Sequence, residues 1–512
     1  MRFALTAIFL SFAGWTGLQA NDPSRYFEIR VIDKATGRGV PLVELVTIDG
    51  VRHITDNAGR IAYEEHGHAG QTVFFKVFPQ GYRVPKDGFG IEGVRFKIEP
   101  GKSGELALER VNLAERLYRS TGQGRYRDTL MLGKEAPIGN LEQGLVVGQD
   151  SVQVARYRDK LYWFWGDTAR LSYPLALFRT SGAVTPLPGA RGADPEKGFE
   201  YTYFTAADGF SRAMAEVKNP KGVVWIEGVC TVPDETGRER MVCRFMRREG
   251  LGELYEQGLM VYNDEREVFE VKTTIPNNDQ WRFVRNHPAR VKDGASEYLM
   301  SGPGFLVTRV PPTLADVRDL KKYESWSCMA VDADPKRAKP RRIASGALDW
   351  KWQAGAPTTQ KEEWRWLKAG LIKPEEARYL PEDANQAGRR VVLHNGTVHW
   401  NAHRQRWLLI ANEIAQDKKS PSFMGEVWYS EAKSPQGPWS KAVRIVTHDK
   451  QSFYNPYHHP HFDAEGGRII YFEGTYTNTF TDAPATQRYE YNQVMYRLDL
   501  DHPALRAAFP AE

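Results

Sequence analysis

After its first twenty residues this 512-residue chain has no long apolar run, so nothing later in it is built to cross a bilayer as a helix. Cysteine is scarce at 3 residues, too few for a disulfide scaffold. One-sided charge is missing as well. Lys and Arg number 69 against 64 Asp and Glu, a net charge of +5 spread along the chain, with no basic stripe or tail for a nucleic acid. The metalloprotease spacing HExxH does not occur, and neither do the "S.D.G..W" boxes of sialidase-type propellers.

What is present starts with an export signal. Arg2 supplies the positive end, "FALTAIFLSFAGW" the apolar run and Ala20 a small residue at a cleavage point. The mature chain, from about residue 21, is therefore expected to be secreted or periplasmic, with no membrane span. Cys230 and Cys243 flank the turn "PDETGRER" symmetrically, which predicts that they face each other across a hairpin. Export permits a bridge there, and two buried thiols are the alternative. The 14 Trp, 23 Tyr and 24 Phe suit strand cores, and some of them suit a groove where sugar rings stack on aromatic faces.

Residues 26–110 read as a small β-sandwich. "YFEIRVID", "LVELVTID", "QTVFFKVFP" and "SGELALERV" alternate or run apolar between Gly-containing turns. Asp33, Thr36, Gly37, Pro41, Thr55, Asp56 and Gly59 stand in the pattern "D..TG.PV…T.D..G.". On those residues the segment resembles carboxypeptidase-regulatory or transthyretin-like modules, which implies a β-sandwich over 24–111. Residues 112–139, with "NLAERLYRSTGQGRYRDTLMLG", read as a short helix and a linker.

From about 140 onward the chain repeats. "QDSVQVARYRDKLYWFWGD", "NHPARVKDGASEYLMSGP" and "HHPHFDAEGGRIIYFEGT" match without a gap. "VVWIEGVC…MVCRFMR" and "VVLHNGTVHWNAHRQRWLLIANE" fit more loosely, giving five units near 150, 225, 286, 398 and 458. Each supplies two strands around a polar turn, and "GEVWYSEAKSPQGPWSKAVRIV" supplies two more. The expected class is all-β: an N-terminal sandwich followed by a five-bladed β-propeller over 140–512 with a helical insertion at about 312–390. Within the insertion, "TQKEEWRWLKAGLIKPEEARYL" has helical spacing, and Thr359 with Glu362 forms a cap signature.

Three of these pieces, "GQDSVQV…KLYWFWGDT", "GEVWYSEAKSPQGPW" and "YFEGTYT", resemble the five-bladed propellers of glycoside hydrolase family 43 and its relatives. The resemblance implies an Asp base at the first inner strand, a second Asp that tunes it and a Glu acid from a later blade. Asp150 stands at the base position. Glu227, a carboxylate inside an apolar strand, is the candidate acid or tuning group, and Asp167 in "FWGDT" is a further catalytic candidate against a turn-capping role. Where the third unit should present the acid, the chain has Arg285, Asn286 and His287. Glu413 and Glu426 are lower-ranked substitutes.

Unit starts gather around one axis in a propeller, so Asp150, Glu227, His287, Trp400 and His459 are expected at one mouth. Arg285, His287, Trp165, Trp400 and His459 are taken as substrate-binding. His459 and His461 share a strand face. A metal there is weighed against substrate contact and structure, and no metal or cofactor is assigned; a structural calcium ion has no signature in the sequence. The partner is expected to be a polysaccharide or glycan, not a nucleic acid. The leading function is glycosidic-bond hydrolysis by carboxyl acid/base chemistry. The alternatives are a non-catalytic glycan- or surface-binding propeller and a lyase using His and Tyr.

Overall fold

Two four-stranded sheets come first. One pairs Arg60–Tyr63, Phe27–Asp33, Ser103–Arg110 and Tyr82–Arg83; the other pairs Arg52–Ile54, Glu44–Thr47, Thr72–Phe78 and Gly93–Lys97. Phe27–Asp33 alternates buried and half-buried residues, as a strand with one covered face must. Ile29, Val31 and Leu108 from the first sheet share one apolar cluster with Leu45, Phe75 and Val77 from the second. The structure is a computed structural model that describes residues 22–141, 143–279, 281–416 and 420–509, without the Gln143 side chain. The leader expected over 1–20 lies outside the described residues.

The rest of the chain is also all-β. Five sheets of four or five strands follow in order, led by Gln153–Tyr157 in sheet I, Val223–Pro233 in II, Ala289–Asp293 in III, Leu393–Asn401 in IV and Ser452–His458 in V. Two smaller sheets pair Gly148–Gln149 with Thr168–Arg170 and Tyr173–Leu177, and Ala193–Asp194 with Gly198–Phe199. A short strand, Ala215–Glu216, adds in parallel to the outer edge of sheet II. Side chains between neighbouring sheets form separate apolar clusters, such as Trp163, Phe199 and Tyr457 between V and I, and Cys243, Phe245 and Phe269 between I and II. Burying a single large side chain of this kind contributes roughly 1.5–3 kcal/mol.

One backbone device recurs at the start of these leading strands. Register slips between Glu227 and Cys230, between Leu393 and Gly396, and between Tyr454 and Tyr457. Each is a bulge, with one extra residue on the leading strand. Ser151, Gly228, Asn286 and Asn455 hold φ of +55°, +69°, +50° and +51°, the left-handed region that small or Asn residues tolerate best. The bulges meet in a circuit of hydrogen bonds. The Gly228 N–H donates to Asn286 O at 2.8 Å and to Gln153 Oε1 at 3.1 Å. Asn286 Nδ2 donates to Gly396 O at 2.9 Å, Asn395 Nδ2 to Asn455 Oδ1 at 2.8 Å, and Asn455 Nδ2 to Ser151 Oγ at 2.7 Å. Sheets I to V are thereby tied head to tail and back to I.

Three sequence expectations need correction. Residues 112–133 are not only a helix and linker: Glu115–Arg119 is a strand that completes sheet V beside Asn492–Asp499, and the helix is confined to Arg127–Met131. All five residues of that strand are buried. Its arginines disguise it, since Arg116 satisfies itself on the carbonyls of Pro41, Gln80 and Pro79. Cys230 pairs with Val242, one residue away from Cys243, and the three cysteines are free. That single step turns the two thiols to opposite faces of sheet II, Cys243 toward sheet I and Cys230 toward sheet III.

The last unit is the third correction. The turn between the first two strands of sheet I is Arg158–Asp159, whereas sheet V spends residues 459–468 on the same connection. Counting across that longer loop displaced the alignment, and the true counterpart of Asp150 is Tyr454, not His458. The inserted helix, by contrast, is Gln360–Lys368 with Thr359 and Glu362 forming a complete capping box. Trp366 is buried, donating Nε1 to Ala338 O, and Trp364 packs against the same cluster.

Candidate active site at the start of sheets I and II

Asp150 precedes left-handed Ser151, so the chain reverses there and the carboxylate is turned back over the second strand of sheet I. Its Oδ1 accepts the backbone N–H of Asp167 at 2.9 Å, and its Oδ2 accepts the Tyr454 hydroxyl at 2.9 Å. Tyr491 adds a further hydroxyl. Gly166 is required for this approach, because a Cβ at that position would lie 2.2 Å from Asp150 Oδ1.

Asp167 is buried at the end of Lys160–Trp165 and accepts Trp225 Nε1 at 2.8 Å. Burial raises both carboxyl groups above the ordinary Asp value, and the Asp150 charge adds to the effect on Asp167, which is pushed up to about 7. The donors are unequally shared. Asp150 receives two tyrosine hydroxyls and an amide, which favour its ionised form, while Asp167 receives one indole N–H. The balance of hydrogen bonds favours the ionised form more strongly at Asp150 than at Asp167, which makes Asp167 the better seat for a proton.

Glu227 projects from the same strand face as Trp225, two residues away. Arg244 and Arg285 both donate to its Oε1, Arg285 at 3.3 Å through Nε, and the Asn286 N–H donates to Oε2 at 3.1 Å. These cations overcome the cost of burial and bring the carboxyl down to about 2. A group held ionised in this way is a poor proton donor near neutral pH, which weighs against the acid role and for the tuning role of the two expected of Glu227. Arg244 is 2% exposed; Arg285 precedes the left-handed Asn286, as Asp150 precedes the left-handed Ser151.

The other expected residues divide. His287 is buried behind Arg285, 4.5 Å from the Tyr457 ring, and burial takes it down to about 3. Trp165 is 1% exposed and packs on Tyr201 and Tyr203. His459 is fully buried, bonded through Nε2 to Glu473 Oε1 at 3.0 Å. Trp400 is 47% exposed against Trp407, five residues past the Asn395 bulge and so about 16 Å along its strand. Among the described residues, no hydrogen bond joins a side chain of these four to the Asp150 or Asp167 carboxyl group. Glu413 and Glu426 occupy a separate cavity of about 260 Å³, neutralised by Arg389 and Arg444.

Tyr454, Tyr491, Trp225 and Arg244 complete the site and were not singled out from sequence. The one available signal was the pair Tyr454–Asn455, which repeats the pattern of a polar group before a residue tolerant of positive φ. Beside them Phe480 is 46% exposed, with its ring centroid 6.2 Å from that of Tyr454. Its φ of +70° is a costly conformation for a bulky residue. The segment is pinned on either side of Phe480, by Ser452 Oγ donating to Thr479 O and Thr481 Oγ1 donating to Lys450 O.

A cleft of about 1020 Å³ lies elsewhere, between residues 133–141 and 189–200. It is open, and its Glu200 is already bound by the Gly139 N–H. Among the described residues, no three His, Cys, Asp or Glu side chains are grouped to hold a metal, and no helix is long and apolar enough to cross a membrane.

No protein-family model matches the chain, and no curated protein matches it in sequence. Solved structures similar to it include the exo-β-1,3-galactanase of Phanerochaete chrysosporium with β-1,3-galactotriose, at 11% identity, 77% of this chain, 69% of that one and a TM-score of 0.37. The GH43_1 enzyme of Xanthomonas citri with xylotriose gives 11% identity, 69% of this chain, 86% of that one and a TM-score of 0.34. The α-L-arabinanase of Cellvibrio cellulosa with arabinohexaose gives 9% identity, 69% and 92% coverage, and a TM-score of 0.33.

Proposed function

We propose that sheets I to V are the blades of a closed five-bladed β-propeller, that the N-terminal pair of sheets is a β-sandwich, and that the chain is an exported enzyme hydrolysing glycosidic bonds of a glycan. The observation that carries the chemistry is the Asp150–Asp167 pair: two buried, electrostatically interacting carboxyl groups in unequal surroundings, with the Asp167 N–H donating to Asp150 Oδ1. Glycoside cleavage needs one carboxyl group to protonate the departing oxygen and another to activate water. Asp167 is the proton donor in this reading and Asp150 the base, its lone pairs aimed by Tyr454 and the Asp167 amide. Arg285, anchored by Glu227, faces the hydroxyls of the bound sugar, and Phe480 offers an exposed ring face at the rim.

The test is a screen of the purified mature chain against plant, algal and bacterial polysaccharides, followed by Asp150→Asn and Asp167→Asn. Turnover that falls by roughly 10²–10⁴-fold in each, with folding intact, supports the reading. Turnover indifferent to both ends it. A second reading, a glycan-binding propeller without turnover, is favoured by one observation: Arg285 stands where a third carboxyl group was expected and Glu227 is locked in ion pairs. It predicts no hydrolysis by the wild type, and binding that survives both Asp substitutions.

A further inference from the structure

Beneath the strand that closes sheet V, the turn at 120–125 packs against residues 146–147 and 492. The packing is tight: a Cβ on Gly122 would lie 2.2 Å from Val147 O and 2.7 Å from Asn492 Oδ1. It leaves a cavity of about 10 Å³ lined by residues that include Ser120, Arg125, Tyr201 and Tyr203, the room that one water-sized particle occupies.

Arg125 is buried at 4% exposure and donates Nη1 to the carbonyls of Ser120 at 3.1 Å and Phe199 at 3.3 Å. Its Nε has no hydrogen-bond partner, and neither has the buried hydroxyl of Tyr201. Among the described residues no carboxylate pairs with Arg125. The neighbouring buried guanidinium, Arg119, donates to the carbonyls of Arg488 and Gln123 and lies over the Tyr489 ring, 5.4 Å from its centroid. The buried carboxylates of the region are already engaged, Glu473 by Ser120 Oγ and His459, Asp56 by the Thr129 N–H and hydroxyl. A buried cation without a counter-charge is costly, and an unmade hydrogen bond adds to that cost.

We propose that this cavity binds one monatomic anion, a halide such as chloride, held by Arg125 Nε and the Tyr201 hydroxyl. Both groups can donate, the space admits a single particle, and among the described residues no carboxylate is in ion-pair contact with Arg125 or Arg119. The anion supplies the acceptor that Arg125 Nε and the Tyr201 hydroxyl lack. It sits where the closing strand, the start of sheet I and the Tyr491–Asn492 segment meet, so it fastens the ring at its seam.

The site is independent of the proposed hydrolysis, and its test reads binding directly. Thermal unfolding of the full mature chain is compared in sodium chloride and in sodium gluconate at equal ionic strength. A saturable rise of about 2 °C or more specific to chloride is expected, lost in Arg125→Gln and reduced in Tyr201→Phe. Should Arg125→Gln fail to fold, Tyr201→Phe and a crystal grown in bromide still decide the matter, the crystal showing an anomalous peak between Arg125 Nε and Tyr201 Oη. Equal melting in both salts, or an ordered water alone at that position in bromide, overturns the proposal.

Discussion

The backbone N–H of Asp167 donates to Asp150 Oδ1 at 2.9 Å, which ties the Asp150 carboxylate to the residue that carries the second carboxyl group, while the other hydrogen bonds of the two carboxyl groups differ. A carboxyl pair so placed titrates as a unit, and its surroundings decide which member keeps the proton. Asp167 lies above the ordinary Asp value of 3.8, at about 7, through burial and the Asp150 charge.

The sign of that shift gives a stability test. A carboxyl group that is harder to ionise in the folded chain destabilises it once ionised. The penalty is absent below about pH 3.8 and complete above about pH 7. Asp167→Asn keeps an acceptor for Trp225 and removes the ionisation. Denaturant titrations should find this variant more stable than the wild type at pH 8, by up to about 4 kcal/mol, with the gain vanishing toward pH 4. The same substitution should lower turnover by roughly 10²–10⁴-fold, as expected where function is held at the expense of stability.

Glu227 should behave in the opposite way. Its value near 2 means that its contribution is present above about pH 4.5 and is lost as the pH falls through about 2. Glu227→Gln leaves Arg244 buried without its anion and should cost about 3–5 kcal/mol, read as a lowered unfolding midpoint. Substrates with good leaving groups should not rescue its activity selectively, whereas they should rescue Asp167→Asn. Selective rescue of Glu227→Gln would return the acid role to Glu227.

Phe480 separates binding from folding. Its φ of +70° is unfavourable for any side chain, so Phe480→Gly should stabilise the chain by about 1 kcal/mol. If the exposed ring stacks on sugar, the same variant should raise KM several-fold with kcat little changed. A stabilised variant with unaltered KM would leave the ring without a part in binding.

Gly166→Ala tests the geometry of the base. The backbone at Gly166 is ordinary, so any loss follows from the methyl group pressing on Asp150 Oδ1. Activity should fall with Asp150 chemically intact, and a crystal structure should show its carboxylate displaced from the Asp167 amide.

Much of this protein was legible in the sequence because the signals were local. Alternation and turn residues marked the strands of sheets I and III, the Thr359–Glu362 box marked the inserted helix, and Asp150 and Asp167 stood at the ends of apolar runs. Those features depend on neighbours within one hairpin or one helical turn. The register of sheet II and the length of the loop at 459–468 were not fixed this way. A bulge or a longer loop changes which residues face each other without changing the apolar pattern that announces the strands.

The sequence by itself therefore determined the all-β character and the presence of repeated hairpins, since period and turn chemistry act over a few residues. Tertiary structure alone decided what the polar groups do. It placed Arg244 and Arg285 on Glu227 and so held the expected acid or tuning group as an anion, set Tyr454 on Asp150 from 304 positions away, and buried His459 in the core. Charge state and hydrogen-bond partner are properties of surroundings, and those surroundings come from strands that meet only when the five sheets are tied together.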